Sequence, residues 1–97
     1  MTRAELLEKL RELKPWLAEQ GIVNVRLFGS YARDEAGPNS DVDLLVNASR
    51  PLARRWGSYD VEDALAAKLG VKVELVVEAA LTNPYIRYTA ERDALVV

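Results

Sequence analysis

The sequence predicts a domain of the mixed α/β (α+β) class: a small mixed β-sheet with helices packed on one of its faces. Three observations carry that prediction. The hydrophobic period switches repeatedly between helical and strand spacing along the chain, turn-forming residues stand at the switches, and 97 residues are enough for one hydrophobic core but not two, so residues 1–97 are read as a single domain.

Leu6, Leu10, Leu13 and Leu17 recur at helical spacing, with Leu7 and Trp16 beside them and Glu5, Glu8, Lys9, Arg11 and Glu12 opposite. Thr2 and Glu5 form the pattern of a capping box, Gln20-Gly21 supplies a stop, and Pro15 falls within the last turns. From Ile22 the period becomes two, which places Val23, Val25 and Leu27 on one face of a strand and Asn24, Arg26 and Phe28 on the other, ending at Gly29. Ser30 to Arg33 is long enough for one helical turn, and residues 34–40 are turn chemistry throughout. A second strand, Asp41 to Val46, carries Val42, Leu44 and Val46 on its apolar face, with Asp41 and Asp43 opposite and Leu45 beside them.

A loop around Pro51 and Gly57 leads to a helix capped by Ser58 or Asp60, carrying Val61, Leu65 and Leu69 and closed by Gly70. The third strand, Val71 to Val77, sets Val71, Val73, Leu75 and Val77 against Lys72, Glu74 and Val76. Asn83-Pro84 is a cap followed by an N1 proline for a helix through about Arg92, and residues 94–97 supply a short terminal strand.

Composition removes several classes of chemistry. The chain has no His and no Cys, so nucleophile pairs that need imidazole or thiol, nitrogen- and sulfur-ligated zinc sites and disulfide scaffolds are excluded. Lys and Arg number 13 against 15 Asp and Glu, and a net charge of -2 argues against a broad basic surface for nucleic acid. No apolar run approaches the ~20 residues of a membrane span, and MTRAELLEKL alternates charge with Leu where a signal peptide has an apolar block. The expected location is the cytoplasm, with no membrane partner.

Asp41 and Asp43 are two residues apart on a strand, so their side chains leave the same face with Cα atoms about 6.5 to 7 Å apart. Such a pair suits Mg²⁺ or Mn²⁺, and a third carboxylate extends it to the two-ion clamp of phosphoryl and nucleotidyl transfer. Glu74 interrupts the apolar third strand on the face that alternation assigns to the two Asp. The plainer reading is a solvated sheet face, with Glu74 a surface residue beside Lys72; against it, Asp is a poor strand former and two of them in a Val/Leu strand bring no structural return. Gly29-Ser30 closes the first strand and opens a helical turn, where a close-approaching backbone and a hydroxyl suit an anion such as a triphosphate. Arg33 is placed either to reach phosphate or to pair with Asp34, Glu35 or a site carboxylate.

Taken together, Gly29-Ser30-Tyr31-Ala32-Arg33, a polar loop, and Ser40-Asp41-Val42-Asp43-Leu44-Leu45-Val46 resemble the signature of the minimal nucleotidyltransferase (MNT) family of the DNA polymerase β-like superfamily, and the likeness covers nearly the whole chain. The resemblance implies the nucleotidyltransferase fold, Asp41 and Asp43 as metal ligands, Glu74 as third ligand and base, and Gly29, Ser30 and Arg33 as the nucleotide grip. It implies transfer of a nucleoside monophosphate, with ATP as donor, to a hydroxyl. The implied partner is a HEPN-domain toxin in a hetero-oligomer, silenced by AMP on a tyrosine; the alternative is an antitoxin that neutralises the toxin by binding alone. Two residues depart from the family pattern: Asp34 stands where Gly is usual, and Glu74 where Asp is commoner.

Overall fold

The computed structural model describes residues 1–55 and 58–97. Gly57, in the expected loop, lies outside the described residues.

Helix α1 (Arg3–Glu19) opens with the capping box: Thr2 Oγ1 accepts from Glu5 N–H at 3.1 Å and Glu5 Oε1 accepts from Thr2 N–H at 3.2 Å. The Glu5 N–H, which has no partner within the helix, and the N–H of the cap residue are thereby satisfied. Leu6, Leu10 and Leu17 are fully buried. After Gly21, at φ +88°, the chain enters β1 (Ile22–Phe28). Strict alternation fails there. Asn24 adopts φ +53° and the register against β2 (Val42–Ala48) shifts between Val23 and Arg26, a bulge that turns Ile22, Val25 and Leu27 inward. Val23, expected on the core face, is 39% exposed for that reason.

A four-residue helix α2 (Gly29–Ala32) follows, and beyond β2 lie the paired two-residue strands β3 (Arg54–Arg55) and β4 (Ser58–Tyr59). Tyr59, not Asp60, is the N-cap residue of helix α3 (Asp60–Leu69), without a side-chain capping hydrogen bond, and the Ser58 side chain lies outside the description. Asp60 instead joins Glu62 and Asp63 in the first turn, where their charges meet the positive end of the helix dipole. Gly70 closes the helix in the left-handed conformation. Strand β5 (Val73–Val77) runs into a 3₁₀ turn, Glu78–Ala80, that the sequence pattern does not announce. Asn83 Oδ1 accepts from Tyr85 N–H at 2.9 Å to start α4 (Pro84–Asp93), one residue longer than expected, and β6 (Leu95–Val96) ends the fold.

The sheet order is β5-β2-β1-β6, with β2 and β5 parallel and the other pairs antiparallel. On one face, Leu6, Leu10 and Leu17 of α1 and Val61, Leu65 and Leu69 of α3 join Val42, Leu44, Val46, Val73 and Leu75 in the main core. This is the helix-covered face that the sequence predicts. The opposite face carries a smaller cluster in which Ala90 of α4 packs with Phe28 and Leu45, and Val76 and Leu81 close in around them. Leu45, which the alternation sets beside the acidic residues, gives α4 its reason to lie there.

Glu62 guards the open edge of the sheet. Its Oε2 accepts from Leu75 N–H at 2.7 Å, occupying an outward donor of edge strand β5 that is otherwise a template for strand addition. No helix among the described residues is long and apolar enough to cross a membrane.

Leu44 sits fully buried on the central strand with the main core around it. Leu44→Ala is expected to lower unfolding free energy by about 2–5 kcal/mol, measured by urea denaturation; a loss below ~1 kcal/mol would contradict this packing.

Candidate active site

The site is built where the ends of β1, β2 and β5 lie side by side. Pairing in the sheet sets Phe28, Asp43 and Glu74 in one cross-strand row, and the parallel ladder begins with Val42 N–H donating to the Lys72 carbonyl at 2.9 Å. Residues directly opposite on neighbouring strands share a face. Asp43 and Glu74 are therefore neighbours by register, thirty-one positions apart in sequence, and their carboxyl groups lie within hydrogen-bonding reach of each other.

Asp41 lies just before β2, with its side chain 38% exposed and Oδ2 3.8 Å from Lys72 Nζ. Asp43 is half-buried, and burial first, then the negative charges of Glu74 and Asp41, push its carboxyl up to about 6, with Arg33 pulling in the other direction. Glu74 is exposed on the edge strand. Among the described residues no three carboxylates gather closely enough to make a finished ligand set: Asp43 and Glu74 meet, while Asp41 leans toward Lys72.

Gly29 explains how the strand and the turn after β1 fit together. It adopts φ +77°, and a Cβ built on it would stand 2.2 Å from Asp43 Oδ2. Only a residue without a side chain lets the carboxylate come this close, and the positive φ adds the second requirement for glycine. Ser30 follows at the start of α2, half-buried, and among the described residues its hydroxyl has no hydrogen-bond partner. Arg33 caps the other end of α2, its N–H donating to the Gly29 carbonyl at 3.1 Å.

Of the two readings left open for Arg33, the structure displays the ion pair. Nε donates to Glu35 Oε2 at 3.0 Å and Nη1 to Asp93 Oδ2 at 2.7 Å. Glu35 was among the expected partners, and Asp93 was not. Its signal in the sequence is small, an acid at the end of a helix where the dipole favours a base. Asp34 takes φ +60°, the left-handed conformation that the Gly of the MNT pattern adopts freely.

A family model described as a nucleotidyltransferase domain matches residues 3–97. The chain belongs to the nucleotidyltransferase family. It is an enzyme of nucleotidyl transfer by that membership, and its mixed sheet and helices are the nucleotidyltransferase fold. The domain is 38% identical over 98 residues to a Methanocaldococcus jannaschii protein named "Putative protein adenylyltransferase MJ0128", with 99% of this chain and 98% of that protein covered. It is 36% identical over 85 residues to the protein adenylyltransferase MntA of Thermococcus cleftensis, covering 86% of this chain and 84% of the relative. A solved structure described as "putative minimal nucleotidyltransferase" matches with TM-score 0.75 at 33% identity over 100% of this chain and 97% of that one. A toxin-antitoxin crystal structure with AMP-PNP shares the fold, with TM-score 0.66 at 21% identity over 99% of this chain and 72% of that one.

The raised Asp43 carboxyl makes a prediction about stability. The unfolded chain loses this proton near 3.8 and the folded chain near 6, so ionising Asp43 weakens the fold as pH rises through that window, and the penalty persists above it. In metal-free protein, Asp43→Asn is expected to raise Tm by a few degrees at pH 7.5, and the gain should vanish near pH 4. Thermal unfolding in EDTA at both pH values measures it, and a lower Tm for the variant at pH 7.5 would contradict the electrostatic account.

Proposed function

We propose that this domain transfers AMP from ATP to a tyrosine hydroxyl of a partner toxin of the HEPN kind, and so acts as the antitoxin of that pair. The observation that carries the reading is the meeting of Asp43 with both Glu74 and Gly29: one carboxylate faces a second across the parallel ladder and rests on the turn that opens α2. The names of the relatives supply the adenylyl group, and the toxin-antitoxin neighbour with AMP-PNP supplies the kind of partner.

The donor chemistry of these residues suits a divalent metal ion. The donors are hard carboxylate oxygens, Asp43 is held at a cost that a cation relieves, and Gly29 leaves Oδ2 uncovered by any side chain of its own. Asp41, Asp43 and Glu74 would hold Mg²⁺ or Mn²⁺ together with ATP. When bound, such an ion neutralises charge on the triphosphate and polarises the phosphorus under attack.

The chain's own groups do the rest. Ser30 offers a hydroxyl at the mouth of α2, beside the glycine that lets a phosphate approach the backbone. Glu74, exposed on the edge strand, is open to an acceptor arriving from outside and takes the proton of the tyrosine hydroxyl. The tyrosine oxygen forms a bond to the α-phosphorus, the bond from that phosphorus to the bridging oxygen breaks, and pyrophosphate leaves. A cytoplasmic site of action and a hetero-oligomeric state belong to the same proposal.

Incubation with the partner, ATP and Mg²⁺ is expected to add the mass of an adenylyl group to the partner, read by intact mass spectrometry. Asp41→Asn/Asp43→Asn should abolish the adduct, and Glu74→Gln should slow it by ~100-fold or more while the fold survives. An unmodified partner, silenced equally by wild type and the double variant, would overturn transfer in favour of neutralisation by contact.

A further inference from the structure

Asp93 is the last residue of α4, and its side chain is only 6% exposed. A carboxylate in a final helical turn meets the negative end of the dipole, so α4 gains nothing from it. One of its oxygens reaches outside the helix: Oδ2 accepts from Arg33 Nη1 at 2.7 Å, while Oδ1 accepts from the adjacent Arg92 Nε at 3.2 Å. The bond from Arg33 contributes most to holding the Asp93 carboxyl below its ordinary range.

Arg33 is anchored through its backbone to Gly29, the residue on which Asp43 rests. Its guanidinium is gripped by two carboxylates of unequal standing. Glu35 has a side chain 65% exposed, so its bond is screened and competes with water, whereas Asp93 is nearly enclosed. Among the described residues nothing accepts from Nη2, so that amino group keeps both donors. Two carboxylates also cancel the positive charge of Arg33. What remains is the Nη2 donor of a guanidinium held from two sides, on the residue whose backbone is bonded to Gly29.

We propose that Asp93 is a positioning residue of the nucleotide site, fixing Arg33 so that Nη2 is presented to the triphosphate at the turn between β1 and α2. The inference rests on the nucleotide-binding reading above and extends it to the far end of the chain. A guanidinium held in place before the ligand arrives spares the ordering cost that a long mobile side chain brings to binding. A rival outcome exists in physics: releasing Arg33 from Asp93 unmasks its charge, and affinity for a triphosphate then rises.

The test is the affinity of AMP-PNP with Mg²⁺, measured by calorimetry on wild type, Asp93→Asn, Arg33→Met and the double variant, each checked for folding by circular dichroism. Asp93→Asn is expected to weaken binding about tenfold, Arg33→Met at least as much, and the double variant no more than Arg33→Met alone, because the two residues act as a unit. Asp93→Glu, which keeps the charge, should recover part of the loss. If Asp93→Asn does not fold, Asp93→Glu serves in both backgrounds, with a several-fold loss in wild type and none in Arg33→Met. Losses that multiply, or Asp93→Asn binding as tightly as wild type or tighter, would overturn the positioning role and leave nucleotide binding intact. A wild type that binds no AMP-PNP would overturn the nucleotide reading, and this inference with it.

Discussion

The contact between the Asp43 carboxylate and Gly29 is the constraint from which the candidate site is assembled. Asp43 belongs to β2, and Gly29 begins the turn after β1; a Cβ on the glycine would be 2.2 Å from Oδ2. The antiparallel pairing that puts Phe28 opposite Asp43 brings the turn to the carboxylate, and the parallel pairing of β2 with β5 brings Glu74 to its other side. Sheet register thus does what loops do in many enzymes. It places three chemical groups with the precision of backbone hydrogen bonds, since a slip of one residue would send Asp43 or Glu74 to the apolar face.

That arrangement sets stability against chemistry. A β2 strand made only of Val and Leu would suit the sheet better than one that half-buries a carboxylate beside another carboxylate. The fold offsets the cost with a well-packed opposite face, where Leu44 and Val46 are fully buried among the leucines of α1 and α3. On the acidic face α4 covers Phe28 and Leu45 through Ala90, and its last residue reaches Arg33. The same short helix therefore closes the second apolar cluster and ties down Arg33.

Much of this was legible in the sequence because it is local. The capping box at Thr2 and Glu5, the Asn83-Pro84 start of α4 and the glycine stop at Gly70 involve residues within a few positions of one another. Alternation put Asp43 and Glu74 on one face, where the register sets them opposite each other, while Asp41 falls just before the strand and faces Lys72. Three features were hidden. The bulge at Asn24 depends on a positive φ that Asn tolerates but does not announce, so Val23 was assigned to the wrong face. The N-cap of α3 is Tyr59, a residue type that carries no capping signature. The Arg33–Asp93 bond joins residues sixty positions apart, and no periodicity connects them.

The central claim is that the two aspartates of β2 and its lead-in, with Glu74, hold a divalent cation together with a nucleoside triphosphate. Titration of Mn²⁺ followed by electron paramagnetic resonance, with and without AMP-PNP, addresses it without relying on turnover. The account predicts that wild type binds Mn²⁺ more tightly when AMP-PNP is present, that Asp41→Asn/Asp43→Asn loses this enhancement, and that a crystal of the ternary complex shows carboxylate oxygens of Asp41 and Asp43 about 2.0–2.2 Å from the ion. Equal Mn²⁺ affinity in wild type and the double variant, with AMP-PNP present, would contradict it.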